Sequence, residues 1–160
     1  MRYVECPEQY SGAGTDTSVF LAGGITSCPD WQAEMVKLLS DTDLTLVSPR
    51  RKVWPIDRPE ASEEQIVWEH QHFLRVDSIL FWFPKETLCP IVLYELGAWL
   101  FRPKAVFVGT HPDYQRKQDV IIQSRLERPA LKVVHTLEDL AGQVRGWYQA
   151  RKEKANAQSS

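Results

Sequence analysis

A chain of 160 residues that is 43% hydrophobic and 25% charged, with a formal charge of −2, has the size and balance of one globular domain. No basic field covers it that would attract a nucleic-acid backbone, so polymeric DNA or RNA is not an expected partner. No apolar run approaches the roughly 18 residues of a membrane span. The opening Met1-Arg-Tyr-Val-Glu-Cys-Pro-Glu8 lacks the apolar core of a signal peptide, which makes the cytosol the expected location.

The first residues, through the Gly12-Ala-Gly14 cluster to about residue 17, are expected to be peripheral, as is the polar tail from Arg151 to Ser160. The core is expected over 18–150. Short apolar runs at Ser18–Ala22, Leu44–Ser48, Ser78–Phe83, Ala105–Gly109 and Leu131–Val134 read as strands. Between the first two, Trp31, Met35, Leu38 and Leu39 recur at helical spacing within Pro29–Ser40. Pro49–Ser62 is a proline- and charge-rich loop, long for such a connection, in a place where function often sits. A second helix is expected over Ser62–Val76, with Ile66, Phe73 and Leu74 on its core face. A third is entered through Pro90, a fourth follows His111–Asp119, and the last carries Leu137, Leu140, Val144 and Trp147. Strand and helix alternate throughout, which predicts a five-stranded parallel sheet, doubly wound, with helices on both faces and ligands beyond the carboxyl ends of the strands.

Glu95 is the single charged residue in Pro90–Phe101. An unpaired buried carboxylate costs several kcal/mol or takes up a proton, so Glu95 must face a cavity, a polar partner or solvent. Glu69 falls three residues after Ile66 and four before Phe73, on the flank of the expected core stripe. Two inward-leaning acids could divide the work of a retaining glycosidic cleavage, one as ionised nucleophile and one as proton carrier. The plainer alternative is that Glu69 pairs with Arg75 or a loop arginine. Ala22-Gly-Gly-Ile-Thr26 follows the first strand and would let backbone approach a ligand, yet it has neither dinucleotide nor P-loop spacing, so no cofactor is expected. Arg50 and Arg51 could hold a phosphate or carboxylate, or simply face water. Cys6, Cys28 and Cys89 form no CxxC pair, and Cys89 reads as packing rather than as a nucleophile. His70 and His72 are spaced for different sides of a helix, so no metal is expected. Asp119 and Gln123 share a helix face and could read a base edge or cap a neighbouring subunit.

The motifs Phe20-Leu-Ala-Gly-Gly24, Asp30-Trp-Gln32, Pro49-Arg-Arg51, Gln65-Ile-Val-Trp-Glu69, Asp77-Ser-Ile-Leu-Phe-Trp-Phe83 and Glu95-Leu-Gly97, in this order over about residues 18–140, resemble the nucleoside 2-deoxyribosyltransferase family, in its branch with an FLAGG-type first strand. The resemblance implies a flavodoxin-like fold, a homo-oligomer, no cofactor, and transfer of 2-deoxyribose from a 2-deoxynucleoside donor to a free nucleobase acceptor. It implies Glu95 as the nucleophile that forms a deoxyribosyl ester, with retention, and Glu69 as the acid that handles the base and its proton. Phe20, Gly23, Gly24, Ile25, Arg50, Trp68, Asp77 and Tyr94 fall among the substrate-contacting positions, with Asp119 or Gln123 as an inter-subunit contribution. Two positions depart from the family pattern. Phe20 stands where better-known members carry a tyrosine that orients the nucleophile, leaving Tyr94 or Tyr3 as substitutes. Cys89 stands where they carry an aspartate on the sugar hydroxyls. The rival readings are an N-glycosidase, in which water attacks the same intermediate, and a nucleotide-sensing module without catalysis.

Overall fold

The computed structural model describes residues 1–12 and 16–158; Gly14 of the glycine cluster and the last two residues of the tail lie outside the described residues. In chain order the elements are β1 (Arg2–Glu5), β2 (Ser18–Gly23), α1 (Trp31–Leu38), β3 (Thr45–Ser48), α2 (Ala61–Arg75), β4 (Ser78–Phe83), α3 (Pro90–Leu100), β5 (Ala105–Thr110), α4 (Lys117–Glu127), β6 (Val133–Val134) and α5 (Leu137–Gln158). The six strands form one parallel sheet in the order β1-β3-β2-β4-β5-β6. Omitting β1 leaves the flavodoxin-like order of a doubly wound domain.

The sheet has six strands rather than the five expected from the sequence. The additional one, β1, pairs only with β3, and of its four residues only Val4 is fully buried. A short edge strand with polar neighbours carries almost no apolar signal. At the other end of the chain, α5 carries the polar tail as continuous helix to Gln158.

The central strands β2 and β4 are buried along their whole length, and their alternation feeds two cores. Phe20, Ile79, Phe81 and Phe83 join α2, α3 and α4 on one face. Val19, Leu21, Leu80 and Trp82 join α1 and α5 on the other. Asp30 starts α1 by accepting the Ala33 N–H at 3.0 Å.

Helix α2 corrects the expected packing stripe. Phe73 is buried, but Ile66 and Leu74 are 67% and 54% exposed. The inward face is Ala61, Gln65, Trp68, His72 and Phe73. Two of those are polar and satisfied: His72 Nε2 accepts the Tyr10 N–H, and Gln65 donates to Pro49 O. A hydrophobicity count places the helix about a quarter-turn off for that reason.

Candidate active site

The order of strands reverses between β2 and β4, so the crevice outside their carboxyl ends is where an open α/β sheet takes ligands. Here the turn after β2 and the loop from β4 to α3 close on each other through two glycines. A Cβ on Gly23 would lie 2.4 Å from the Trp82 carbonyl and 2.5 Å from the Trp31 ring; one on Gly24 would lie 2.8 Å from Pro84 and 3.0 Å from the Cys89 sulfur. Close approach therefore demands these glycines, with no need for a left-handed backbone. The Gly24 carbonyl accepts from the Trp31 indole N–H at 2.8 Å and from Arg50 at 3.4 Å. Cys89, at φ 49°, turns the chain into Pro90 at the head of α3.

Two cavities open between these loops and the helices α2 and α3. The inner one, about 370 Å³, is walled by Phe20, Gly23, Gly24, Ile25, Thr26, Thr87 and Cys89. The outer one, about 400 Å³, is bordered by His70, Phe73, Tyr94, Trp99 and Arg102. Glu69, Glu95, Ile66 and Ile91 belong to both, so the two acids stand at the waist between the compartments.

The acids are differently supported. Burial, together with the charge of Glu69, pushes the Glu95 carboxyl up from 4.5 to about 8, and among the described residues no hydrogen bond or ion pair reaches it. Burial also raises Glu69, but a 2.6 Å hydrogen bond from Gln65 and the nearby Arg51 charge work against that rise. Of the two, Glu95 is the one driven further toward its protonated form, and its titration senses the charge of Glu69. Perturbed carboxylates facing a cavity are a mark of catalytic sites.

The structure brings together Glu69, Glu95, Phe20, Gly23, Gly24 and Ile25, with Tyr94 at the outer rim. It does not bring the remaining expected contacts to either cavity. Trp68 is buried in the core, stacked 3.9 Å from His72 and donating its indole N–H to Glu8 O. Asp77 lies at the amino end of β4, at the opposite end of the strands from the cavities, where it accepts from Ser18 N and Oγ at 2.9 Å. Arg50 braces the turn after β2 through Gln32, Pro29 O and Asp30. Asp119 and Gln123 line a separate cavity of about 360 Å³ between α3 and α4.

Of the two tyrosines expected to orient Glu95, Tyr3 packs on the α1/α5 side of the sheet and hydrogen-bonds Ser48. Tyr94 is 78% exposed, and no hydrogen bond joins it to Glu95 among the described residues. Burial lifts the Cys89 thiol to about 11, which keeps it protonated and unsuited to attack. Glu69 is not paired with Arg75, whose guanidinium reaches Gln9, Tyr10 O and Gln71. Sequence reasoning missed Thr87 and Ile91 as wall residues and Gln65 as the partner of Glu69, while Thr26 and Ile66 stood inside sequence motifs without a site role of their own. Thr87 and Ile91 belong to no motif read from the sequence. Gln65, four residues before Glu69, is an i,i+4 pair that spacing could have suggested.

Among the described residues, no group of three or more His, Cys, Asp or Glu side chains is placed to hold a metal ion, and no helix is long and apolar enough to cross a membrane.

A doubly wound α/β domain with two electrostatically coupled carboxylates between paired cavities at its strand switch point has the features of a small-molecule site for acid–base or covalent chemistry. The chain matches the family model described as "Nucleoside 2-deoxyribosyltransferase like" over residues 16–114, well over half its length, and it belongs to that family. No curated protein matches it.

Proposed function

We propose that this protein exchanges the nucleobase of 2-deoxynucleosides through a covalent deoxyribosyl ester on Glu95. The observation that carries the reading is the place of Glu69 and Glu95 at the waist of two adjoining cavities, because a glycosidic bond needs its acids between room for a sugar and room for a base.

In this reading a Glu95 carboxylate oxygen attacks the anomeric carbon. The C1′–N bond breaks, and its electron pair leaves with the base, which takes a proton from Glu69. The nitrogen of a second base then attacks the same carbon, its proton returns to Glu69, and the ester bond to Glu95 breaks. Two inversions give net retention. The attacking form of Glu95 is the ionised one, a minority near neutral pH in the free site. Positive charge developing at the anomeric carbon favours that form as the reaction proceeds.

Among the described residues, neither Arg50 nor Arg51 lines either cavity, and no Lys, Arg or His borders the inner one. That favours a nucleoside over a 5′-phosphorylated nucleotide. The cytosol and a homo-oligomer, in which Asp119 or Gln123 of one copy meets the site of another, belong to the same proposal. The test is incubation with a 2-deoxynucleoside and a second free base. A new nucleoside is expected. Free sugar alone, whatever base is added, would make the protein a hydrolase, and saturable binding without turnover would make it a sensor.

A further inference from the structure

We infer that Gln65 is a positioning residue that fixes which oxygen of Glu69 carries its proton. The inference rests on the proton-carrying role proposed above for Glu69. It starts from the Gln65 side-chain amide, which is buried and has all of its hydrogen-bonding positions in use. Its Nε2 donates to Pro49 O at 2.8 Å and to Glu69 Oε1 at 2.6 Å. Its Oε1 accepts from Arg51 Nε at 2.7 Å and from the Cys6 thiol at 3.0 Å.

Only one orientation of the amide satisfies this set. Arginine can only donate, and a peptide carbonyl can only accept. Rotating the amide by half a turn would set N–H against the Arg51 N–H and a carbonyl oxygen against both Pro49 O and the Glu69 carboxylate. Arg51 on one side and Pro49 on the other thus lock Gln65 as a donor toward Glu69. Arg51 is itself kept in place by stacking 5.3 Å over the Trp54 ring and by the Cys6 sulfur at 3.2 Å.

The consequence for Glu69 is chemical. Oε1 receives an N–H and acts as the acceptor, so when Glu69 is protonated the hydrogen sits on Oε2, which has no hydrogen-bond partner among the described residues. Oε2 is then the atom that delivers the proton to the departing base and takes it back from the incoming one. The same hydrogen bond holds the Glu69 carboxyl below where burial alone would put it, so it can release its proton as the base leaves. Without Gln65 the two oxygens become equivalent, and the acid is weaker.

The test uses Gln65→Met, which keeps the length of the side chain and removes the donor, with Gln65→Glu as a second variant of nearly equal volume that pairs with Arg51. The first readout does not need turnover: the carboxyl ¹³C resonance of Glu69 is titrated in the wild type and both variants. Its midpoint is expected to move to higher pH in each. An unchanged midpoint in a folded variant overturns the inference whether or not the protein is an enzyme.

The second readout compares two donors. An ordinary 2-deoxynucleoside needs its base protonated on departure, whereas 7-methyl-2′-deoxyguanosine carries a cationic base that leaves without an added proton. Gln65→Met is expected to lose at least about tenfold in kcat on the first and to change little on the second, with the alkaline limb of the pH profile moved upward. Equal losses on both donors would make Gln65 merely structural.

Discussion

The two ends of strands β2 and β4 treat a carboxylate in opposite ways. At the amino end Asp77 is tied to the Ser18 amide and hydroxyl and to Arg151 at 2.8 Å. At the carboxyl end Glu95 faces two cavities, with no partner among the described residues and a carboxyl pushed up to about 8. Both acids belong to family-like motifs, Asp77-Ser-Ile-Leu and Glu95-Leu-Gly, and only the structure separates them. A carboxylate whose lone pairs are already used holds the scaffold together. One left uncompensated is held ready for a ligand, at a cost in stability.

Glu95→Gln tests that contrast most severely. Exchange should fall by about 10⁴-fold or more, since the covalent step is lost. The same substitution should raise thermal stability. Stability attributable to Glu95 is fully present below its ordinary value of 4.5 and is lost as pH climbs through about 8. The variant should therefore match the wild type near pH 4 and exceed it above pH 8, by on the order of 1–3 kcal/mol, in paired denaturation curves. A destabilised variant would mean that Glu95 has a partner and resembles Asp77 after all.

Glu69→Gln should cost roughly 10²–10³-fold in turnover of ordinary donors. Wild-type kcat/KM should fall as pH passes an apparent midpoint near 8, where the coupled pair gives up the one proton that Glu69 must deliver. In Glu69→Gln only Glu95 titrates, so the residual rate should rise with pH, through a midpoint below 8 because the Glu69 charge that helps to raise it is gone. A midpoint still near 8 in that variant would show that the acids do not sense each other.

Asp77→Ala gives the reverse pattern at smaller size. It strands the Ser18 N–H and frees Arg151, which should lower stability by about 1–3 kcal/mol in chemical denaturation. The kinetic constants of the folded protein should stay as they are. A selective rise in KM would return Asp77 to the substrate site.

Much of this was legible in the chain. The fully buried runs of β2 and β4 and the alternation of strand and helix define the parallel sheet, and an isolated acid in the apolar Pro90–Phe101 segment draws attention to the candidate site. What escaped depended on contacts between distant segments. Strand β1 draws its reason for existing from β3. The inward face of α2 is hidden because Gln65 and His72 are buried as satisfied polar groups, one contacting Pro49 and Arg51 and the other Tyr10. Trp68 and Glu69 are adjacent in sequence, yet a helix turns them about 100° apart, one into the core and the other into the cavity. Gly23 and Gly24 could be read as a turn of close approach; the side chains they make room for, Trp31, Thr87 and Cys89, come from elsewhere in the chain.

The most direct measurement is intact-protein and peptide mass spectrometry after rapid acid quench with a 2-deoxynucleoside in the absence of an acceptor base. A deoxyribosyl ester on the peptide that holds Glu95, absent in Glu95→Gln, is the expected result. Turnover accompanied by an adduct on any other residue, or by none at any quench time, would contradict the assignment of Glu95 as nucleophile.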